Sequence, residues 1–118
     1  MVGSFRDLSV WQNAMQLVER IYDRSERFPR SEVYGLTSQM RRAAISIPSN
    51  IAEGKAVGGQ CYPRHLKIAL GSKSELETQI ELARRLKLLN EGEAQQLLDE
   101  TAVVGRQLAT LLKSLPRD

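Results

Sequence analysis

The sequence predicts an all-α fold, an antiparallel up-down left-handed four-helix bundle with a proline-kinked second helix, and three observations carry that prediction. Apolar residues recur at alternating spacings of three and four along four separate stretches, the mark of a bundle seam. No stretch alternates with a period of two, and aromatic residues make up only 5% of the chain, so no strand candidate exists. The breaks between stretches, at Pro29 and at Asn90, are short, with a longer one only at residues 54–60, so an antiparallel packing of successive helices is the natural one. The 118 residues form one domain, 1–118, large enough to bury a core without cross-links.

A first helix is expected over about residues 8–27, capped by Asp7 or Ser9. Leu8, Trp11, Met15, Val18 and Tyr22 read as its seam, with Trp11 in the core and its N–H needing a partner. Ala14, Leu17, Ile21 and Phe28 form a second apolar flank. Pro29 stops the helix, because its ring pushes Phe28 out of the α region.

The second helix, over about residues 33–53, has the seam Leu36, Met40, Ala43, Ile47 and Ile51. Pro48 interrupts its backbone bonding, a loss of about 3 kcal/mol in a helix interior. Ile51 and Ala52 carry the pattern onward, so a kink is expected rather than a stop, with Ser46 and Ser49 available to the freed backbone groups. Gly54 is read as the end of the helix and the start of a flexible linker through Gly58-Gly59.

The third helix spans about residues 62–88. One stripe holds Leu66, Ala69, Leu76, Ile80 and Ala83, and a second flank holds Ile68, Leu82, Leu86 and Leu89. Two apolar flanks call for two partners, one inside the bundle and one outside it. The Gly71-Ser72 pair is expected to admit a second backbone at close range. Asn90-x-x-Glu93 then opens the fourth helix, about residues 91–115, as a capping box. Ala94, Leu97, Thr101, Val104, Leu108, Leu111 and Leu115 repeat without a slip, a left-handed seam that Pro116 ends.

Charge is unevenly spread on a chain of net charge +3. Between residues 36 and 74 lie six basic residues, Arg41, Arg42, Lys55, Arg64, Lys67 and Lys73, against one acid, Glu53. Such a window suits an anionic partner, and these six are the candidate contacts to RNA or DNA. Adjacent residues lie about 100° apart on a helix, so Arg41 and Arg42 cannot both face the seam. At least one of them is expected to close an ion pair, with Glu53, Glu75 or Glu77. Beside the seam runs a polar stripe; Gln39, Ser46, Asn50, Glu53, Ser72 and Glu75 are read as a hydrogen-bonded network that fixes helix register.

No catalytic, cofactor or metal constellation is present in the sequence. Cys61 is the single cysteine, and His65, the single histidine, cannot supply the paired Glu-x-x-His motifs of a dinuclear bundle. Histidine phosphotransfer bundles are a rival class, but after His65 the lysine stands second rather than third and no glycine follows it in place. His65 is therefore expected to be a solvated surface residue. Without a secretory pattern or a membrane-length apolar run, the expected location is cytoplasmic, with no membrane contact.

The residues Leu8-Ser-Val-Trp11, Phe28-Pro29, Tyr34-Gly-Leu36, Gln39-Met-Arg-Arg-Ala43, Ser46-Ile-Pro-Ser-Asn-Ile-Ala-Glu-Gly54 and Ile68-Ala-Leu-Gly-Ser72 stand in the order of a known bacterial family. The sequence resembles the four-helix-bundle proteins encoded within intervening sequences of 23S ribosomal RNA genes. That resemblance implies a homopentameric ring and kinship with the nucleic-acid-associated accessory proteins of diversity-generating retroelements. Helices one and three would supply the subunit interface through Leu17, Ile21, Ile68, Leu82, Leu86 and Leu89. The expected function is thus a non-enzymatic homo-oligomer, without cofactors, that binds nucleic-acid backbone nonspecifically. The alternative is an adaptor ring that binds a protein partner.

Overall fold

The computed structural model describes residues 3–116. Four helices carry the fold: α1 (Ser9–Ser25), α2 (Leu36–Val57), α3 (Cys61–Arg85) and α4 (Glu91–Ser114), with single 3-10 turns at Phe5–Asp7 and Arg30–Glu32. Each helix packs on its neighbours in sequence, and α1 closes the square against α4. The side-chain pairs Asn13–Gln107, Arg20–Glu100 and Arg24–Gln96 climb α1 while descending α4, so these two helices run antiparallel. The body measures 46 × 25 × 22 Å, about one long helix in length and two helices across.

Three of the four expected seams face inward. Met40, Ile47 and Ile51 of α2, Leu66, Leu76 and Ile80 of α3, and Leu97, Val104 and Leu108 of α4 are sealed from solvent. Burial of each large apolar side chain contributes about 1.5–3 kcal/mol, which is why these positions dictate helix orientation. In α1 the two stripes are exchanged. Ala14, Leu17 and Ile21 are in the core, while Met15 and Tyr22 are exposed and Trp11 is only partly buried. Spacing could not separate two stripes that both alternate threes and fours. The inward one offers aliphatic bulk and the small Ala14, whereas the outward one carries a phenol and an indole whose polar tips favour water. Trp11 stacks edge-on with Phe5, centroids 5.3 Å apart, at the rim of the α1–α2 groove.

Helix ends also correct the expectations. Neither Asp7 nor Ser9 caps α1; Leu8 occupies the cap position, and Ser4 instead accepts from the Arg6 N–H of the preceding turn. Helix α2 continues through Pro48 in one piece and past Gly54 to Val57. Gly54 is a point of close helix approach rather than a stop: a Cβ there would lie 2.9 Å from the Cβ of His65 and 3.3 Å from the Cα of Tyr62. The reversal is made by Gly58 and Gly59, at φ 76° and 57°, values that disfavour side chains. Gly71 has nothing within 4 Å, so it admits no neighbouring backbone; the buried glycine of α4, Gly105, lies under the aliphatic stem of Lys73 instead.

At the α3–α4 turn Lys87 takes the left-handed conformation, φ 62°, and the Leu88 N–H donates to the Ala83 carbonyl at 2.9 Å. This is a Schellman closure with lysine where glycine is usual. The capping box of α4 forms as expected: the Glu93 N–H donates to Asn90 Oδ1 at 2.8 Å, and the Asn90 N–H to Glu93 Oε1 at 3.1 Å. No helix among the described residues is long and apolar enough to cross a membrane.

Candidate functional site

Where α2 and α3 cross, a polar cluster replaces the apolar seam. Ser72 Oγ donates to Ser46 Oγ at 2.7 Å, and Asn50 Nδ2 reaches both the Ser46 carbonyl, at 2.8 Å, and Ser46 Oγ, at 3.0 Å. A carbonyl only accepts, so the amide nitrogen of Asn50 must face it and Oδ1 must face the other way. There it meets His65 Nδ1 at 2.8 Å, which assigns a proton to Nδ1. His65 Nε2 then looks toward the Glu53 carboxylate at 3.7 Å.

Among the described residues, hydrogen bonds thus join Ser46, Asn50 and Ser72, while Glu53 makes none and only faces, at 3.7 Å, a residue outside the expected network, His65. Its side chain is 14% exposed, not solvated, because the close α2–α3 approach at Gly54 draws it in. Gln39 and Glu75 stay outside; both are exposed, and neither has a side-chain partner among the described residues. A phosphoryl group on Nε2 would meet the Glu53 carboxylate, like charge against like, which weighs against phosphotransfer. Cys61 is a free thiol, with the Arg64 guanidinium 4.0 Å from its Sγ.

The six basic candidates do not form one patch. Arg41 is occupied: its guanidinium donates to Ser25 Oγ at 2.9 Å and to Glu26 at 3.4 Å, and lies 4.3 Å over the Tyr22 ring. The expected ion pair is therefore present, but its acid comes from the end of α1 and not from Glu53, Glu75 or Glu77. Lys73 is likewise paired, with Glu77 at 3.0 Å. Arg42, Arg64 and Lys67 are exposed, and Lys55 is partly buried beside the Tyr62 ring; none of the four is ion-paired among the described residues. Lys55, Arg64 and Lys67 sit at the α2–α3 reversal, where Lys113 of α4 joins Lys67 along one cleft. Arg42 stands 13 residues up α2 from Lys55, about 20 Å away. Lys113 escaped the sequence reading because it belongs to a stretch whose net charge is negative.

The sequence model of the family described as 23S rRNA-intervening sequence protein matches residues 6–110, a span that takes in nearly all of the four helices. The chain belongs to this family. A solved structure of a protein of unknown function from the S23 ribosomal protein family of Bacteroides thetaiotaomicron has the same fold, with a TM-score of 0.83 over 90% of this chain and 96% of that one at 19% identity. No curated protein matches the chain.

Within this intervening-sequence-family bundle, the expected interface residues divide. Leu17, Ile21 and Leu89 are 2% exposed or less and belong to the core, so they cannot meet a second subunit. For α1 this follows from the exchanged stripes. For Leu89 it follows from the Lys87 turn, which folds the chain back over the bundle end. Ile68, Leu82 and Leu86 remain on the surface of α3, 45% to 53% exposed.

Proposed function

We propose that the chain is a non-enzymatic homo-oligomer that binds the backbone of RNA or DNA, a pentameric ring by family resemblance. The observation that carries the binding half is the cluster of Lys55, Arg64, Lys67 and Lys113 at one end of the bundle, with no ion-pair partner among the described residues. Cations free of acidic partners release counterions from a polyanion, and a ring repeats each of them.

Two features support self-association. Ile68, Leu82 and Leu86 leave an apolar strip on α3 that the bundle does not cover. A shallow apolar groove of about 330 Å³, lined by Trp11, Met15, Val18, Ile45 and Pro48, lies between α1 and α2. Helices α1 and α3 occupy diagonal corners of the square, so the two surfaces face different directions. Unlike patches on different sides favour head-to-tail contact, which closes into a ring when the rotation permits.

Filter binding of RNA against salt tests the reading. Affinity should fall steeply with salt, and each of Arg64→Ala, Lys67→Ala and Lys113→Ala should lower the log–log slope on single-stranded RNA by about 0.7 for every phosphate it leaves unneutralised. Binding that is absent at low salt, or indifferent to salt, rejects it. If the variants at Arg64, Lys67 and Lys113 leave RNA retention unchanged but lose a co-purifying protein, the adaptor ring takes its place.

A further inference from the structure

The lysine cluster borders a cleft of about 580 Å³ between the start of α3 and the end of α4. That size falls within the range of about 300–1,000 Å³ usual for pockets that hold a small organic group. Lys67 and Lys113 stand on it, and no acid lines it. The rest of its wall is apolar or neutral, with Pro63 from α3, Leu112 and Leu115 from the end of α4, and Gln60 just before α3.

The local sequence keeps this space open. On its α3 side the wall begins at Gly59, where a Cβ would meet nothing within 4 Å. Leu112 and Leu115 pack against the core with one side and stay half-buried on the other. Every residue named here has exposed surface, so a ligand reaches it from solvent. A face that needed only charge has no use for such a floor. Cations alone hold phosphates, and a purely ionic surface favours a duplex, which carries one charge per about 1.7 Å of its axis. A duplex keeps its bases stacked inside, so the leucines and the proline would remain wet. An unpaired base has apolar faces and a polar edge, and it suits an apolar floor beside a side-chain amide.

We propose that this cleft takes one unpaired base of a single-stranded nucleic acid, its phosphate held by Lys67 and Lys113 and its edge by the Gln60 amide. Lys55 and Arg64, at the same end of the bundle, hold neighbouring phosphates. The assignment rests on the nucleic-acid reading above and narrows it from any backbone to a single strand.

The test uses the full chain and four probes: a single-stranded oligouridylate, its duplex with oligoadenylate, a strand of the same length without bases, and polyglutamate. Oligouridylate should bind about tenfold tighter than the duplex or the abasic strand, within what one base contact contributes. Its salt dependence should match that of the abasic strand, because both carry the same phosphates. Methyl resonances of Leu112 and Leu115 should shift with oligouridylate and not with the abasic strand. Gln60 makes no capping bond to α3, so Gln60→Ala keeps the fold, and it should weaken oligouridylate alone. Lys67→Ala should weaken both strands equally. If the duplex and the abasic strand bind as tightly as oligouridylate, the base assignment is overturned and the ionic lysine-cluster reading stands. A preference for oligouridylate without methyl shifts, and with Gln60→Ala neutral, overturns the cleft as the place where the base sits. Polyglutamate binding without any oligonucleotide binding overturns the nucleic-acid source in favour of an acidic peptide. If no probe binds, the nucleic-acid reading fails and takes this assignment with it.

Discussion

Gly54 of α2 and His65 of α3 touch so closely that a Cβ on the glycine would sit 2.9 Å from the histidine Cβ. That approach sets the spacing of the helix pair which shares the most extensive contact in the bundle. It also brings His65 within reach of Asn50. Gly54→Ala gains about 1 kcal/mol of helix propensity but overpacks a backbone-rooted contact, which costs about 1–3 kcal/mol. Since the Tyr62 Cα stands only 3.3 Å away on the same side, the helices must part, and the cost wins. Thermal unfolding should show a lower melting temperature; an equal or higher one means that the pair opens at no cost.

The Ser46–Ser72 bond links α2 to α3 beside the apolar seam. Deleting the Ser46 hydroxyl leaves Ser72 Oγ without its partner, so Ser46→Ala should cost about 1–3 kcal/mol, more than an exposed serine would. The double variant Ser46→Ala, Ser72→Ala should cost less than the two single effects combined. Strict additivity in chemical denaturation would mean that the two hydroxyls act independently.

Glu93 couples the start of α4 to pH. The Arg27 guanidinium bonded to its carboxylate, and then the Asn90 N–H, hold Glu93 below its ordinary carboxylate value. The folded chain therefore keeps Glu93 ionised to lower pH than the unfolded chain does. Its contribution is complete above the ordinary value of 4.5 and disappears as pH falls through the depressed one. Glu93→Gln preserves the shape of the capping box and removes the charge. The variant should melt below the parent at neutral pH, and the gap should close in acid as the carboxylate takes up its proton. A gap that persists unchanged in acid would place the effect in shape instead of charge.

Lys87 occupies a left-handed position at φ 62°, where a side chain costs about 1–2 kcal/mol. Lys87→Gly should relieve most of that cost and raise the melting temperature. A lower one would mean that the lysine side chain contributes more than its backbone strain removes.

Much of this fold was legible because burial leaves a periodic trace. Met40, Ile47 and Ile51, or Leu97, Val104 and Leu108, can face only one way without exposing bulk apolar surface. In α1 the trace was doubled, and pattern alone could not choose between Leu17 with Ile21 and Met15 with Tyr22. Gly54 looked like a helix end because a late glycine often is one; only the position of His65 shows otherwise. Arg41 finds its acid in Glu26, across the α1–α2 connection, a partner visible only once that connection is folded. The polar network was read in part for a related reason. Ser46, Asn50 and Glu53 share a helix face, but their histidine partner depends on α2–α3 register.

Self-association is the property on which the ring and its repeated cations depend. Light scattering coupled to size exclusion, at micromolar concentration, reads it without intermediary. A single species is expected whose mass is an integral multiple of 13.3 kDa, five-fold for a pentamer, reduced to one copy in the Leu82→Glu, Leu86→Glu variant. A parent chain that elutes as a stable species of 13.3 kDa rules the ring out.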